Sequence, residues 1–192
     1  MKEIRIAEIR AAEPTAGGSN ALILSGRPII YDTPTSIMDG SGSYTEIISR
    51  GALDSADLSD VRLLYNHDFS KVPLARTPKT MTLSVDGQGL TMRAELPDTE
   101  AAREVYEAVK RGDLSGMSFA FTVPDGGDSY NAATNTRTIS KIAKVYECSV
   151  VPYPAYPTTS IEARSARAAA LTRQQQRQRA KILYNQIMRA RW

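Results

Sequence analysis

The sequence predicts a β-rich α+β domain over residues 1–162 and a separate basic helical tail over residues 163–192. Three observations carry that expectation: aliphatic runs of strand length, one segment of helical periodicity with both ends signalled, and a C-terminal stretch of different charge and composition. Residues 2–10 (KEIRIAEIR) alternate aliphatic and charged positions, the period of a half-buried strand. Gly17, Gly18, Ser19 and Asn20 are turn material, and residues 21–30 read as a second strand with a break at Ser25-Gly26. Pro34 and the glycines at 40 and 42 predict an irregular loop. Residues 61–65 form a short apolar run that ends in Asn66-His67-Asp68. Residues 81–85 and 90–94 flank Asp86-Gly87-Gln88-Gly89, a hairpin signal.

The helix is predicted over residues 99–111. Asp98 or Thr99 can cap its free N–H groups, and Glu100 suits the positive end of the dipole. Ala102, Val105, Tyr106 and Val109 make one apolar stripe, and Gly112 can close the last turn in a left-handed conformation. Two further strands are expected over residues 114–123 and 138–151, separated by a polar loop at 124–135. The prolines at 152, 154 and 157 each lack a ladder donor and end the sheet. The expected body thus has seven or so strands and one helix.

Composition narrows the functional classes. Hydrophobic residues make up 42% and charged residues 23%, which describes a folded domain. No stretch approaches the roughly 20 apolar residues of a membrane span, so no membrane partner is expected. The N-terminus alternates charge where a signal peptide would run apolar, and the lone Cys148 cannot form an internal disulfide, so synthesis in a reducing cytoplasm is expected. Residues 163–192 contain eight basic and no acidic residues, leaving −5 for residues 1–162 out of a net +3. The tail's apolar stripe is thin, so it would need a partner surface to fold stably.

With one histidine and one cysteine, zinc of the usual kind is nearly excluded. Asp54, Asp57 and Asp60 lack the glycine and closing glutamate of a calcium loop and read as a solvated face. No phosphate cradle or dinucleotide fingerprint occurs, and no cofactor is expected. A nucleic-acid role would rest on the basic tail alone, which lacks interleaved aromatics before Tyr184, so no nucleic-acid partner is expected.

Nucleophilic catalysis remains. His67 follows an apolar strand, where a side chain can project into a cleft, although a lone histidine is often structural. Ser118 sits in Gly116-Met117-Ser118-Phe119-Ala120-Phe121, between small and large apolar neighbours; the bland alternative is a serine satisfied by backbone, and Ser115 is the nearby substitute. Glu147 lies in an apolar strand, where an unpaired carboxylate is costly; its partner is either an imidazole or an ordinary lysine or arginine. Cys148 points to the opposite face from Glu147 and reads as core.

The run from Gly51-Ala52-Leu53-Asp54 through Leu64-Tyr65-Asn66-His67-Asp68 and Pro73-Leu74-Ala75-Arg76-Thr77 resembles the first half of the tailed-phage prohead (capsid-maturation) serine proteases. Gly112-Asp113-Leu114-Ser115-Gly116-Met117-Ser118-Phe119 and the closing Glu147-Cys148-Ser149-Val150-Val151-Pro152-Tyr153-Pro154-Ala155-Tyr156 are similar to the second half, so that the ordered set covers roughly residues 20–162. The resemblance implies a fold related to the herpesvirus assembly protease: a closed, mostly antiparallel β-barrel with flanking helices. It also implies a serine nucleophile and histidine base, which map onto Ser118 and His67. The herpesvirus enzymes use a second histidine that this chain lacks, and Glu147 occupies the matching strand. Their arginine-bearing loop corresponds here to residues 152–157, which have no arginine, so the oxyanion donors stay unidentified, with Arg76 and a backbone N–H as candidates. The implied role is cleavage of the scaffolding region of the major capsid protein, and of the protease itself, inside the immature capsid in the host bacterial cytoplasm. Expected partners are the major capsid protein, its scaffolding region and a second copy of the chain. The alternative is a non-catalytic scaffold or capsid-binding protein of the same fold.

Overall fold

The computed structural model describes residues 2–12, 21–39 and 42–152, so the predicted tail and the loop from residue 153 lie outside the described residues. The elements begin with β1 (Lys2–Ala12), β2 (Leu22–Ile30), β3 (Thr35–Asp39), β4 (Gly42–Ile48), β5 (Arg62–Tyr65) and β6 (Ala75–Arg76). They continue with β7 (Met81–Asp86), β8 (Gly89–Leu96), α1 (Glu100–Arg111), β9 (Gly116–Thr122), β10 (Asp128–Asn131), β11 (Thr136–Ile139) and β12 (Lys144–Val151). An eight-stranded sheet has the order β6-β5-β12-β9-β1-β2-β8-β7, and a four-stranded sheet the order β10-β11-β4-β3. Pairing is antiparallel except for β12 with β5 and β11 with β4.

This corrects the predicted closed barrel with flanking helices. The fold is mostly β, with one helix among the described residues, and neither sheet closes: β6 and β7 are edges of the larger one. Edge chemistry explains the opening. β6 is two residues long and lies between Pro73 and Pro78, neither of which has an N–H to offer a ladder. On the other edge, β7 exposes Thr82, Ser84 and Asp86, a polar row suited to water rather than to another strand.

Several elements differ from the sequence expectation for local reasons. The predicted loop near Pro34 contains the β3–β4 hairpin. The predicted strand at 138–151 is interrupted, because residues 140–143 bond elsewhere. Ile142 N–H donates to Ala52 O at 2.8 Å, and Ala143 O accepts from Asp57 N–H at 2.9 Å. The Ser25-Gly26 break is present as a register shift between Gly26 and Ile29 against β8.

Alternation decides which side of the large sheet is core. Met117, Phe119 and Phe121 of β9 belong to the main apolar cluster with Leu63, Cys148 and Val150, all nearly or fully buried. The Phe119 and Phe121 rings stack at a centroid distance of 5.3 Å. Helix α1 buries Ala102, Val105 and Val109 and contacts β1 and β2. Its ends are those the sequence signals: Thr99 Oγ1 accepts from Ala102 N–H at 3.4 Å, and Gly112 adopts φ 85°.

One glycine fixes the β7–β8 hairpin against β2. Gly89 has φ +143°, and a Cβ there would lie 2.0 Å from the backbone oxygen of Ile29. Neither the backbone angle nor the contact can accommodate a methyl group without shifting the β2–β8 ladder. Gly89→Ala should therefore destabilise the protein by about 3 kcal/mol or more. Thermal unfolding checks this, and an unchanged midpoint would show that the hairpin is not clamped to β2.

Candidate active site

Three neighbouring strands, β5, β12 and β9, assemble the candidate residues. Ser149 on β12 is in register with Leu64 on β5 and with Ser118 on β9. Register partners share a face, and residues two apart on a strand share it too. Ser118, Ser149 and Glu147 therefore lie on one face of the sheet, opposite the main apolar cluster. Cys148 pairs with Phe119 on the core face and is fully buried, as its position beside Glu147 predicts. Burial, with the neighbouring Glu147 carboxylate adding to it, pushes the Cys148 thiol far up, which disfavours a thiolate there.

His67 reaches this face from the turn that ends β5. Asn66 N–H bonds Val150 O at 2.9 Å, extending the β5–β12 alignment by one residue, and Asp68 N–H returns to Tyr65 O at 3.1 Å. Asn66 and His67 have φ 53° and 57°. Two successive left-handed residues that are not glycine are costly, about 1–2 kcal/mol each, and persist only where surrounding contacts impose them. The turn aims the imidazole back at β12. His67 Nδ1 lies 2.7 Å from Glu147 Oε1, with the carboxylate side chain only 1% exposed. A carboxylate in that position selects the tautomer with the proton on Nδ1, leaving Nε2 as an acceptor. Glu147 Oε2 accepts a further hydrogen bond from Ser149 Oγ.

Ser118 is fully buried, and among the described residues its Oγ has no hydrogen-bond partner. A buried hydroxyl left unpaired costs about 1–3 kcal/mol and is uncommon in folded proteins. β9 lies between β1 and β12 with Ser118 in register on both sides, so the Ser118 backbone N–H is committed to the sheet. That N–H is therefore not free to bond a ligand beside the hydroxyl.

The other sequence candidates are placed elsewhere or engaged. Ser115 is exposed, just before β9. Arg76 Nε donates to Asp60 Oδ1 at 2.7 Å, and this hydrogen bond holds the Asp60 carboxyl below its usual range. Asp68 accepts from Ser70 Oγ and Ser70 N–H, which together lower its pKa, so it braces its own turn. Asp57 bonds Lys144 Nζ at 2.6 Å rather than a neighbouring carboxylate. A cavity of about 640 Å³ is lined by Arg10, Arg27, Ile30, Glu46 and Phe119. Phe119 faces away from Ser118 on β9, so this cavity is not the space beside the serine hydroxyl.

Sequence reasoning did not single out Ser149, which bonds the Glu147 carboxylate and the His67 N–H. The signal is the Glu147-x-Ser149 spacing, which puts both side chains on one face of a strand. Compared with known proteins, a family model described as caudovirus prohead serine protease matches residues 6–174. No curated protein and no solved structure matches the chain.

Proposed function

The chain belongs to the caudovirus prohead serine protease family, and from that membership we propose that it is a serine endopeptidase acting through Ser118, His67 and Glu147 on the scaffolding region of the major capsid protein. The observation that carries this reading is the unpaired, buried Ser118 hydroxyl on the same sheet face as the Glu147 carboxylate that grips His67 at 2.7 Å. Among the described residues the hydroxyl bonds no group, His67 Nε2 included; catalytic hydrogen bonds are often long before substrate binds and tighten in the complex.

In the reaction, Ser118 Oγ attacks the scissile carbonyl carbon while His67 Nε2 takes its proton. Glu147 keeps the imidazole in the Nδ1–H tautomer and stabilises the imidazolium that forms. Collapse of the tetrahedral intermediate breaks the C–N bond, and His67 returns the proton to the leaving amine. Water, deprotonated by the same nitrogen, then hydrolyses the acyl-enzyme and releases Ser118 Oγ–H. Because Ser118 is fully buried, a peptide reaches it only after a local opening around β9.

The family's place of action is the prohead, inside the infected host cell. The protease body is residues 1–162, and residues 163–192 carry eight basic and no acidic side chains. That charge suits docking on an acidic helical segment of the scaffolding region, and the small-residue stretch at 160–170 suits self-cleavage. Co-expression with the major capsid protein, followed by mass spectrometry of termini, tests the activity. The expected result is a new capsid-protein N-terminus with the wild-type chain and none with Ser118→Ala. A capsid protein left intact by folded wild-type chain would contradict the proposal.

A further inference from the structure

We infer that Ser149 is a positioning residue of this site, whose single hydroxyl sets both the Glu147 carboxylate and the backbone that carries His67. The inference rests on the catalytic reading of Ser118 and His67 proposed above. Ser149 Oγ accepts from His67 N–H at 3.3 Å and donates to Glu147 Oε2. A hydroxyl has one proton to give, so these two bonds use it in the one consistent sense. Glu147 Oε1 then faces His67 Nδ1. Four groups from three residues form a closed ring: backbone of His67, hydroxyl of Ser149, carboxylate of Glu147, imidazole of His67.

The ring explains why a strained turn is stable where it is. His67 has φ 57° directly after Asn66 at φ 53°, and such a pair needs fixed contacts to hold it. Asn66 is tied to Val150 O by its own N–H, and the His67 N–H is tied to Ser149. Ser149 is itself fully buried and sits in the β5–β12–β9 ladder, so its Cα cannot drift. Its register partner on β9 is Ser118. One rigid residue thus refers the base, its orienting carboxylate and the nucleophile's strand to a common point. Glu147 could face His67 without Ser149, but the carboxylate would be free to rotate and the His67 N–H would lose its acceptor.

The chain's only histidine is His67, so its imidazole signals can be read without assignment ambiguity. The test uses full-length chain labelled with ¹⁵N-histidine, in which the Nδ1 proton is observed directly by NMR. Steady-state hydrolysis of a peptide spanning the capsid cleavage junction is measured beside it. Ser149→Ala should lower kcat about 10- to 100-fold with KM little changed, since hydrogen bonds to a buried carboxylate are strong and orienting. The Nδ1–H resonance should broaden or vanish in the folded variant. Ser149→Thr keeps the hydroxyl, whereas Ser149→Val keeps only its shape. Threonine should recover most of kcat and the resonance, and valine neither.

Wild-type kcat and an unchanged Nδ1–H resonance in Ser149→Ala would overturn the inference. So would equal behaviour of the threonine and valine variants, which remains decisive if the alanine variant fails to fold. The NMR arm does not depend on turnover. A chain that proves inactive while Ser149→Ala still abolishes the resonance would sink the protease reading and leave the positioning role standing.

Discussion

Ser118→Ala is expected to abolish peptidase activity while making the folded protein more stable. The loss of turnover should be on the order of 10⁶, the scale seen when a nucleophile is removed from a unit whose members act together. The gain in stability follows from burial. Ser118 Oγ is inaccessible and unpaired, so replacing it by a methyl group removes a desolvated hydroxyl without orphaning a partner. A gain of about 1–2 kcal/mol is expected, in the usual sense of a trade between stability and function. Denaturant unfolding beside a peptidase assay reads both quantities. An active Ser118→Ala chain would return Ser115 to consideration as nucleophile. An inactive and destabilised one would mean that the hydroxyl is bonded in solution.

His67→Ala should be as inactive as Ser118→Ala, and the double variant no worse than either, because removal of one member already disables the unit. The stability effect has the opposite sign. Without the imidazole, the Glu147 carboxylate, 1% exposed, loses the partner on its Oε1 side and keeps only Ser149. A buried carboxylate so stripped is costly. Alanine at φ 57° also retains the left-handed strain, so His67→Gly should be the more stable of the two inactive variants, by about 1 kcal/mol. A folded His67→Ala chain that keeps wild-type turnover in the peptidase assay would contradict His67 as base.

Much of this site is legible in the sequence because strand alternation is simple to read. Placing Glu147 and Cys148 on opposite faces requires only a period of two, and the register bears that placement out. Helix α1 is equally legible, since Thr99 and Gly112 mark its ends chemically. The left-handed turn at Asn66 and His67 is less so. Asparagine tolerates that conformation, but nothing local demands it of the histidine; the contacts that impose it come from β12, some 80 residues later in the chain. Sheet closure was the clearest failure. Whether β6 and β7 pair depends on the length and donor content of two edges, and Pro73 and Pro78 leave β6 too short and too poor in N–H groups. The break at residues 140–143 is of the same non-local kind, set by bonds to Ala52 and Asp57.

The most direct measurement is covalent. Full-length protein is treated with a fluorophosphonate, which phosphonylates an activated serine hydroxyl with loss of fluoride, and the adduct is located by peptide mass spectrometry. One adduct is expected per chain, on Ser118, forming at a rate limited by the opening around β9. It should be absent from both Ser118→Ala and His67→Ala. An adduct on Ser115 or Ser149, or none at all in a preparation that cleaves the capsid protein, would contradict the account.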